Sequence, residues 1–267
     1  MEKLLDEIES YWSTRTEGYS EVNHKELAGT QKNAWLKVLT SQFPDKPKEE
    51  IRILDIGTGP GFFPVILAEA GYHVDAVDYT EGMLEKAKEN AGDLCRNIRF
   101  LRMDAQKLDF EDNTFDVVIS RNLTWNLEHP DVAYREWVRV LKVGGRLLNF
   151  DANWYGYLYE EEQRKAYEND RKNVENNSLD DHYLCTDIER MERIALQVPL
   201  SKISRPQWDV KTLREAGLLG IRTDTEIWKT VWSEEERLNY QSTPMFMVTG
   251  VKPVSYTHLR AHETDSY

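Results

Sequence analysis

From residue 51 to residue 151 the chain alternates short apolar runs with helix-like ones, and no other sequence feature restricts its fold as tightly. IRILDIG reads as a buried strand ending on glycine, and FFPVILAEAG as a helix stopped by Gly71. YHVDAVD is a second strand, followed by TEGMLEKAKENAG, a helix with Thr80 in the N-cap place. IRFLRMD and FDVVIS make the third and fourth strands. PDVAYREWVRVLK is a helix opening on Pro130, and GGRLLNFD is the fifth strand. Strands that alternate with helices of this length build right-handed crossovers, and hence a parallel sheet in an α/β fold. Further on, RPQWDVKTLREAGL predicts a helix stopped by Gly217. GIRTDTEIW and PMFMVTGV predict two more strands around a capped segment at residues 233–236.

The flanks have a different texture. Residues 1–45 read as polar helix carrying an aromatic cluster of Tyr11, Trp12 and Tyr19, closed by the proline- and charge-rich FPDKPKEE. Between residues 152 and 205 the alternation stops. An aromatic stretch runs into a densely charged one, and TDIERMERIALQV then offers a capping box, Thr186 with Glu189, and an apolar face of Ile188, Met191, Ala195 and Val198. The expected organisation is an N-terminal helical lid at 1–45, a core at 51–151 and 206–252, and a helical cap inserted at 152–205. The segment at 254–267, VSYTHLRAHETDSY, lacks periodicity and resembles the read-through of a cloning adapter. It is expected to be artefactual or disordered and is set aside with His258 and His262.

Charge narrows the partners. Against 34 Lys and Arg stand 47 Asp and Glu, a formal net charge of -13, so a nucleic acid would meet a repulsive field. Two cysteines, Cys95 and Cys185, make neither a disulfide framework nor a CxxC metal knuckle. The N-terminus MEKLLDEIESYW has four acids in its first nine residues and no apolar h-region, and nowhere do 18 apolar residues run together. The expectation is a cytoplasmic protein with no signal peptide, no membrane partner and no nucleic-acid partner; its oligomeric state stays open.

The chemistry is carried by Leu54-Asp55-Ile56-Gly57-Thr58-Gly59-Pro60-Gly61, a strand running through three alternating glycines into a helix. Glycine tolerates positive φ and lets a ligand lie against bare backbone, with helix N-terminal N–H groups facing it. A dinucleotide fingerprint would need its third glycine at Phe62, one residue later, and no Gly-Lys-Ser/Thr follows as a P-loop requires. The second strand ends in Asp78, seventeen residues beyond Gly61, and the third in Met103-Asp104-Ala105. Carboxylates at two neighbouring strand tips suit a ligand that brings hydroxyls and an amino group and no phosphate.

With these residues the sequence resembles the class I S-adenosylmethionine-dependent methyltransferases. DIGTGPG, the acidic end of VDAVD, the MDA step, FDVVISRN and LKVGGRLLNFD carry the resemblance, and the elements at 205–252 fit the same topology. It implies a Rossmann-like, doubly wound sheet, mostly parallel with a late antiparallel strand. It implies S-adenosyl-L-methionine as cofactor and S-adenosyl-L-homocysteine as product. Gly57, Thr58, Gly59 and Gly61 would then approach the methionine part, and Asp55 its amino group. Asp78 would hold the ribose, with Tyr79 and Met83 beside the cofactor. Asp104 and Ala105 would take the adenine edge, while Ser120 and Arg121 close the methionine end.

The acceptor in such enzymes sits beyond the strand tips. Tyr11, Trp12 and Arg15 from the first helix, Asn122 and Trp125 after the fourth strand, and Asn153, Trp154 and Tyr157 from the insertion are the expected substrate residues. Their flat apolar walls and hydroxyl handles suit a small organic molecule or its cationic centre. His182, Asp151 and Tyr19 are the candidates for catalytic proton transfer. Asp151 and Asn153 are similar to the acid–amide end of the metal-dependent catechol methyltransferases, but the fourth strand ends in Ser120-Arg121-Asn122 without the completing acid, so no metal is expected. The Asp/Asn-Pro-Pro-Tyr/Phe tetrapeptide of amino-methylating DNA enzymes is absent. The leading expectation is methyl transfer to a small organic acceptor by in-line displacement in a lid-covered pocket. Methylation of a protein side chain, or cofactor binding without turnover, are the alternatives; an NAD-linked oxidoreductase fits the glycine spacing poorly.

Overall fold

A computed structural model describes residues 4–182 and 186–254. Cys185 and the expected tail from residue 255 onward therefore lie outside the described residues. In chain order the elements are α1 (Leu4–Ala28), α2 (Gln31–Ser41), β1 (Arg52–Ile56), α3 (Phe62–Glu69), β2 (His73–Asp78), α4 (Glu81–Ala91), β3 (Ile98–Arg102) and β4 (Phe115–Arg121). Then follow α5 (Pro130–Val140), β5 (Leu141–Asp151), α6 (Glu161–Asn176), α7 (Ile188–Ala195), α8 (Gln207–Glu215), β6 (Leu219–Asp224), α9 (Trp228–Val231), α10 (Glu234–Asn239) and β7 (Phe246–Val251).

The strands form one sheet in the order β3-β2-β1-β4-β5-β7-β6. β1 to β5 pair in parallel, and β7 inserts antiparallel between β5 and β6. All five parallel strands thus end on one edge, and the order reverses between β1 and β4, where open α/β sheets bind ligands. Tyr134, Trp137 and Leu147 fill one face beneath α5 and α8. Trp35, Leu39, Phe62, Phe63 and Phe150 fill the other beneath α2 and α3. Among the described residues no helix is long and apolar enough to cross a membrane.

Local departures from the sequence reading have identifiable causes. β5 begins at Leu141, three residues before Gly144, because Leu141 already pairs with Phe115 across an irregularity in the ladder. Thr80 occupies the N-cap of α4, yet its side chain makes no capping bond; its backbone N–H is turned to Asp78 Oδ1 at 2.9 Å instead. The cap of α7 is Asp187, accepting from the Arg190 N–H, rather than Thr186 of the expected capping box. Ile194 is buried beside Met191, Ala195 and Val198, while Ile188 stays half-buried. The Ser233–Glu236 capping box forms as read.

The three glycines of the turn serve three different purposes. All have positive φ, at 69°, 53° and 93°. A Cβ on Gly57 would meet Leu123 Cδ2 at 2.7 Å, and one on Gly59 would face Tyr19 at 3.5 Å. On Gly61 it would stand 3.0 Å from Ala87 Cβ on α4, so this glycine brings two helices together. Gly61→Ala therefore carries both a left-handed backbone cost, about 1–2 kcal/mol, and an overlap with α4. Gly71→Ala, at φ 92° with nothing within 4 Å, carries the backbone cost alone. Urea midpoints should rank wild type above Gly71→Ala and Gly71→Ala above Gly61→Ala.

Candidate active site

Two cavities open at the strand tips, and each takes one wall from α1. The first has about 850 Å³ of free space beside the β1 turn and the ends of β2, β3 and β4. Gly57, Gly59, Asp78, Tyr79, Met83, Asp104, Ala105 and Arg121 line it, so eight of the residues read from the sequence as cofactor-binding surround one space. Asp78 Oδ2 accepts from the Gly59 N–H at 2.8 Å, which locks the glycine turn to the tip of β2. Burial pushes the Asp78 carboxyl up, while the Thr80 and Gly59 N–H groups pull it back. Asp104 accepts from the Gln106 N–H at 2.8 Å, and the Ala105 carbonyl accepts from Trp137 Nε1 at 2.9 Å. Arg102 lies 5.1 Å from the Tyr79 ring and bonds Glu9 of α1 at 2.7 Å, pinning the helix over the rim.

Four expected cofactor residues stand behind this surface. Asp55 is 2% exposed, and burial pushes its carboxyl up to about 7 against the pull of Thr58 and Arg121. Thr58 is buried in the turn, and Gly61 faces Ala87. The Ser120 hydroxyl donates to the Ile56 carbonyl at 2.9 Å between strands, away from the cavity.

The second chamber has about 1890 Å³ of free space and shares Trp12, Tyr19, Arg121 and Asn122 with the first. Tyr11, Arg15, Trp125, Trp154 and His182 complete the expected residues that line it. His182 is held at both ring nitrogens, by the Tyr240 hydroxyl at 2.9 Å and Glu235 at 3.1 Å. Burial pushes the Tyr19 phenol above its ordinary value, against Arg121, so it holds its proton.

Three expected residues do not reach either cavity. Asp151 is fully buried and saturated, accepting from the N–H of Trp125 and Ala152, from Trp154 Nε1, and from Arg205 at 2.6 Å. Asn153 exchanges hydrogen bonds with the backbone of Arg205. The Tyr157 hydroxyl donates to Glu192 at 2.9 Å while its ring stacks on Tyr167. Each is a fastening of residues 152–205 rather than part of a cavity wall.

Sequence reasoning missed the chamber's polar heart. Glu26 on α1 makes a two-pronged ion pair with Arg121, at 2.7 and 3.1 Å, and the guanidinium lies over the rings of Trp35, Phe62 and Phe63. Asn23, Glu236, Trp232 and Tyr240 also line the chamber. One signal was available: Tyr19, Asn23 and Glu26 recur at helical spacing, placing three polar residues on a single face of α1.

The first cavity fits S-adenosylmethionine chemically. Ile8, Val77, Met103, Leu123 and Leu127 give an apolar slot for a purine, and Asp78 and Asp104 supply acceptors for hydroxyls and an amino group. The Asn126 Oδ1, on a residue 4% exposed that lines the same cavity, has no partner among the described residues and is placed to meet a ligand donor.

A seven-stranded sheet of this order, with a cavity at its switch point, has the fold seen in solved S-adenosylmethionine-dependent methyltransferases. Residues 54–149 match the family described as "Methyltransferase domain". A demethylmenaquinone methyltransferase of Clavibacter sepedonicus is 41% identical over 98 residues, 36% of this chain and 39% of its own. Another, from Renibacterium salmoninarum, is 31% identical over 148 residues, 55% of this chain and 60% of its own. The chain thus spans less than two thirds of the length of these relatives. Among solved structures, phosphoethanolamine N-methyltransferase 2 of Haemonchus contortus, with S-adenosylhomocysteine bound, superposes with a TM-score of 0.62 at 19% identity, over 95% of this chain and 61% of its own. Residues 54–149 thus match a methyltransferase domain, and the first cavity beside them fits S-adenosyl-L-methionine.

Arg121 is the charge that makes Glu26 tolerable. Arg121→Met should destabilise the fold by about 3–5 kcal/mol, since it leaves a buried carboxylate unpaired. Adding Glu26→Gln should recover most of the loss, as read by urea denaturation of both variants.

Proposed function

We propose that the protein transfers the methyl group of S-adenosylmethionine to a small organic acceptor seated in the second chamber, by in-line displacement across the shared wall. The shared wall is the observation that carries this reading. Two cavities of different chemistry meet only at Trp12, Tyr19, Arg121 and Asn122 in their linings. When bound, the cofactor supplies a methyl already activated on a sulfonium, so the protein's task is alignment and exclusion of water.

The residues divide that task. Asp78 would accept from the ribose, Asp104 and the Ala105 backbone would meet the adenine edge, and the bare backbone of Gly57 and Gly59 would lie along the methionine part. Asp55, behind the turn, would act on the amino group through its charge. α1 and residues 152–205 would serve as lid and cap, with α7 packed on α1 supporting that role. Trp125 and Trp154 would form flat walls around the acceptor. No side chain among the sequence candidates stands ready as a general base, because Tyr19 holds its proton, His182 is engaged at both nitrogens and Asp151 is saturated. An acceptor whose proton leaves to solvent or to a residue outside that set fits such a site.

The relatives named for demethylmenaquinone act on a quinone precursor by their names, and aromatic walls are compatible with a flat ring. The family match at 54–149 contains neither α1 nor residues 180–245, which supply most of the chamber. The acceptor class therefore has to be argued from the chamber itself.

Calorimetric titration tests the reading. S-adenosylmethionine and S-adenosylhomocysteine should bind wild type, and Asp78→Ala should weaken both by about tenfold or more through loss of charged hydrogen bonds; NAD should not bind. No binding of either sulfur ligand to folded protein would end the proposal. Asp55 adds a pH dependence. With its carboxyl near 7 in the free protein, the charged form that attracts an ammonium is lost below that value. Cofactor affinity should therefore rise as pH increases from 6 to 8, and Asp55→Asn should flatten the rise.

A further inference from the structure

The chamber's polar atoms are unequally satisfied. The Arg121 guanidinium is committed to Glu26, Trp125 Nε1 donates to the Asn122 carbonyl, and Trp154 Nε1 donates to Asp151. Acceptors, by contrast, are left over. Asn23 is 1% exposed; its Nδ2 donates to Glu26 Oε2 at 3.4 Å, which turns its Oδ1 the other way, and that oxygen has no partner among the described residues. On Glu236, the bonds from Gln31 and from the Ser233 N–H and hydroxyl all fall on Oε2. Oε1 accepts none among the described residues, although the side chain lines the chamber.

The charges are unequal as well. Glu26 and Glu236 face one guanidinium, Arg121, so this cluster carries an excess negative charge in a half-enclosed aromatic space. Trp154 and Trp232 each pack against Tyr240, at 5.2 and 5.6 Å between ring centroids, and all three rings line the same space. Aromatic faces near a carboxylate favour a cation over a neutral group of the same shape. A buried acceptor without a donor costs free energy until a ligand brings one.

We propose that the acceptor is a primary or secondary amine, held with its N–H groups toward Asn23 Oδ1 and Glu236 Oε1, and that its nitrogen receives the methyl group. This rests on the methyl-transfer reading above and specifies its substrate class. Asn23 touches Glu26, and Glu26 touches Arg121 of the shared wall, so an amine bound there sits beside the place where the two cavities meet.

The balance is simple. The amine arrives as an ammonium and gives up one proton, to Glu236 or to solvent. Burial raises the Glu236 carboxyl, and Glu26 adds to the rise, which strengthens it as a proton acceptor. The freed nitrogen lone pair forms the new N–C bond as the C–S bond breaks with its electrons on sulfur. A methylated ammonium and a neutral thioether result. A neutral quinol would leave the excess negative charge uncompensated.

The test uses the full chain loaded with S-adenosylhomocysteine. Loading is scored first by calorimetry, so failure there falls on the methyl-transfer reading and not on this one. Primary amines from ethylamine to 2-phenylethylamine are then titrated, each beside the alcohol of the same skeleton. At least one amine should bind about tenfold or more tighter than its alcohol, the range expected when a built acceptor loses a charged donor. Asn23→Leu and Glu236→Gln, the latter keeping a residue type able to close the capping box, should reduce that preference to about threefold or less without a change in circular dichroism. Equal binding of amines and alcohols, binding of no amine, or a preference that survives both substitutions would overturn the assignment. Methylation of 1,4-dihydroxynaphthalene at carbon, with no amine methylated, would overturn it too.

Discussion

The Glu26–Arg121 pair is the interaction on which the two cavities depend. Its arginine comes from the last residue of β4 and its glutamate from the last turns of α1, so one contact fastens the helix over the sheet's switch point. Burying both charges has a desolvation cost that the pair alone does not repay. The two-pronged geometry returns part of it, and the guanidinium plane spread over Trp35, Phe62 and Phe63 returns more, since arginine is weakly hydrated and stacks on rings. Lysine could do neither. The same side chain then faces both cavities, and the division between them is drawn largely by one buried cation and its neighbours.

A second buried network works at the end of β5. Asp151 and Asp209 hold Arg205, and Asp209 also accepts from the Tyr134 hydroxyl, all fully buried. The Asp151 carboxylate simultaneously fixes the backbone of Trp125 and the indole of Trp154, two walls of the second chamber. An acid following a strand tip looks like a catalytic group in the sequence; here its lone pairs are spent on posture.

The sheet was legible because alternation of apolar runs and helices leaves few topologies, and the strand-tip acids were legible because their positions follow from strand length. Gly61 was read as ligand-facing when its neighbour is Ala87, since the pattern of glycines states that space is needed without saying for what. The chamber was only half legible. Its walls come from α1, the turn after β4, the start of the 152–205 segment and α10, stretches brought together by packing that no local pattern reports. Aromatic residues advertised themselves, so Trp12, Trp125 and Trp154 were found, whereas Glu26 and Glu236 look like any of the many surface acids of a chain with 47. Tyr157, the same kind of residue as Tyr155, turned to Glu192 instead of the chamber, a choice made by the packing of α7.

The helix α1 is fastened differently at its two ends. Its last turns are held by the buried Glu26–Arg121 pair and by His24 and Ser20 bonded to Asn90 of α4. Near its start an exposed ion pair, Glu9 to Arg102 with the arginine 47% exposed, adds to hydrogen bonds from Arg190 and Gln197 and to the packing of Ile8 and Tyr11 on α7. Mobile ions screen an exposed pair and barely touch a buried one. Ionic strength therefore weakens one of the ties over the Tyr79 rim and leaves the buried pair over Arg121 almost untouched. The walls of the first cavity and of the second chamber thus answer to salt differently, although a single helix roofs both.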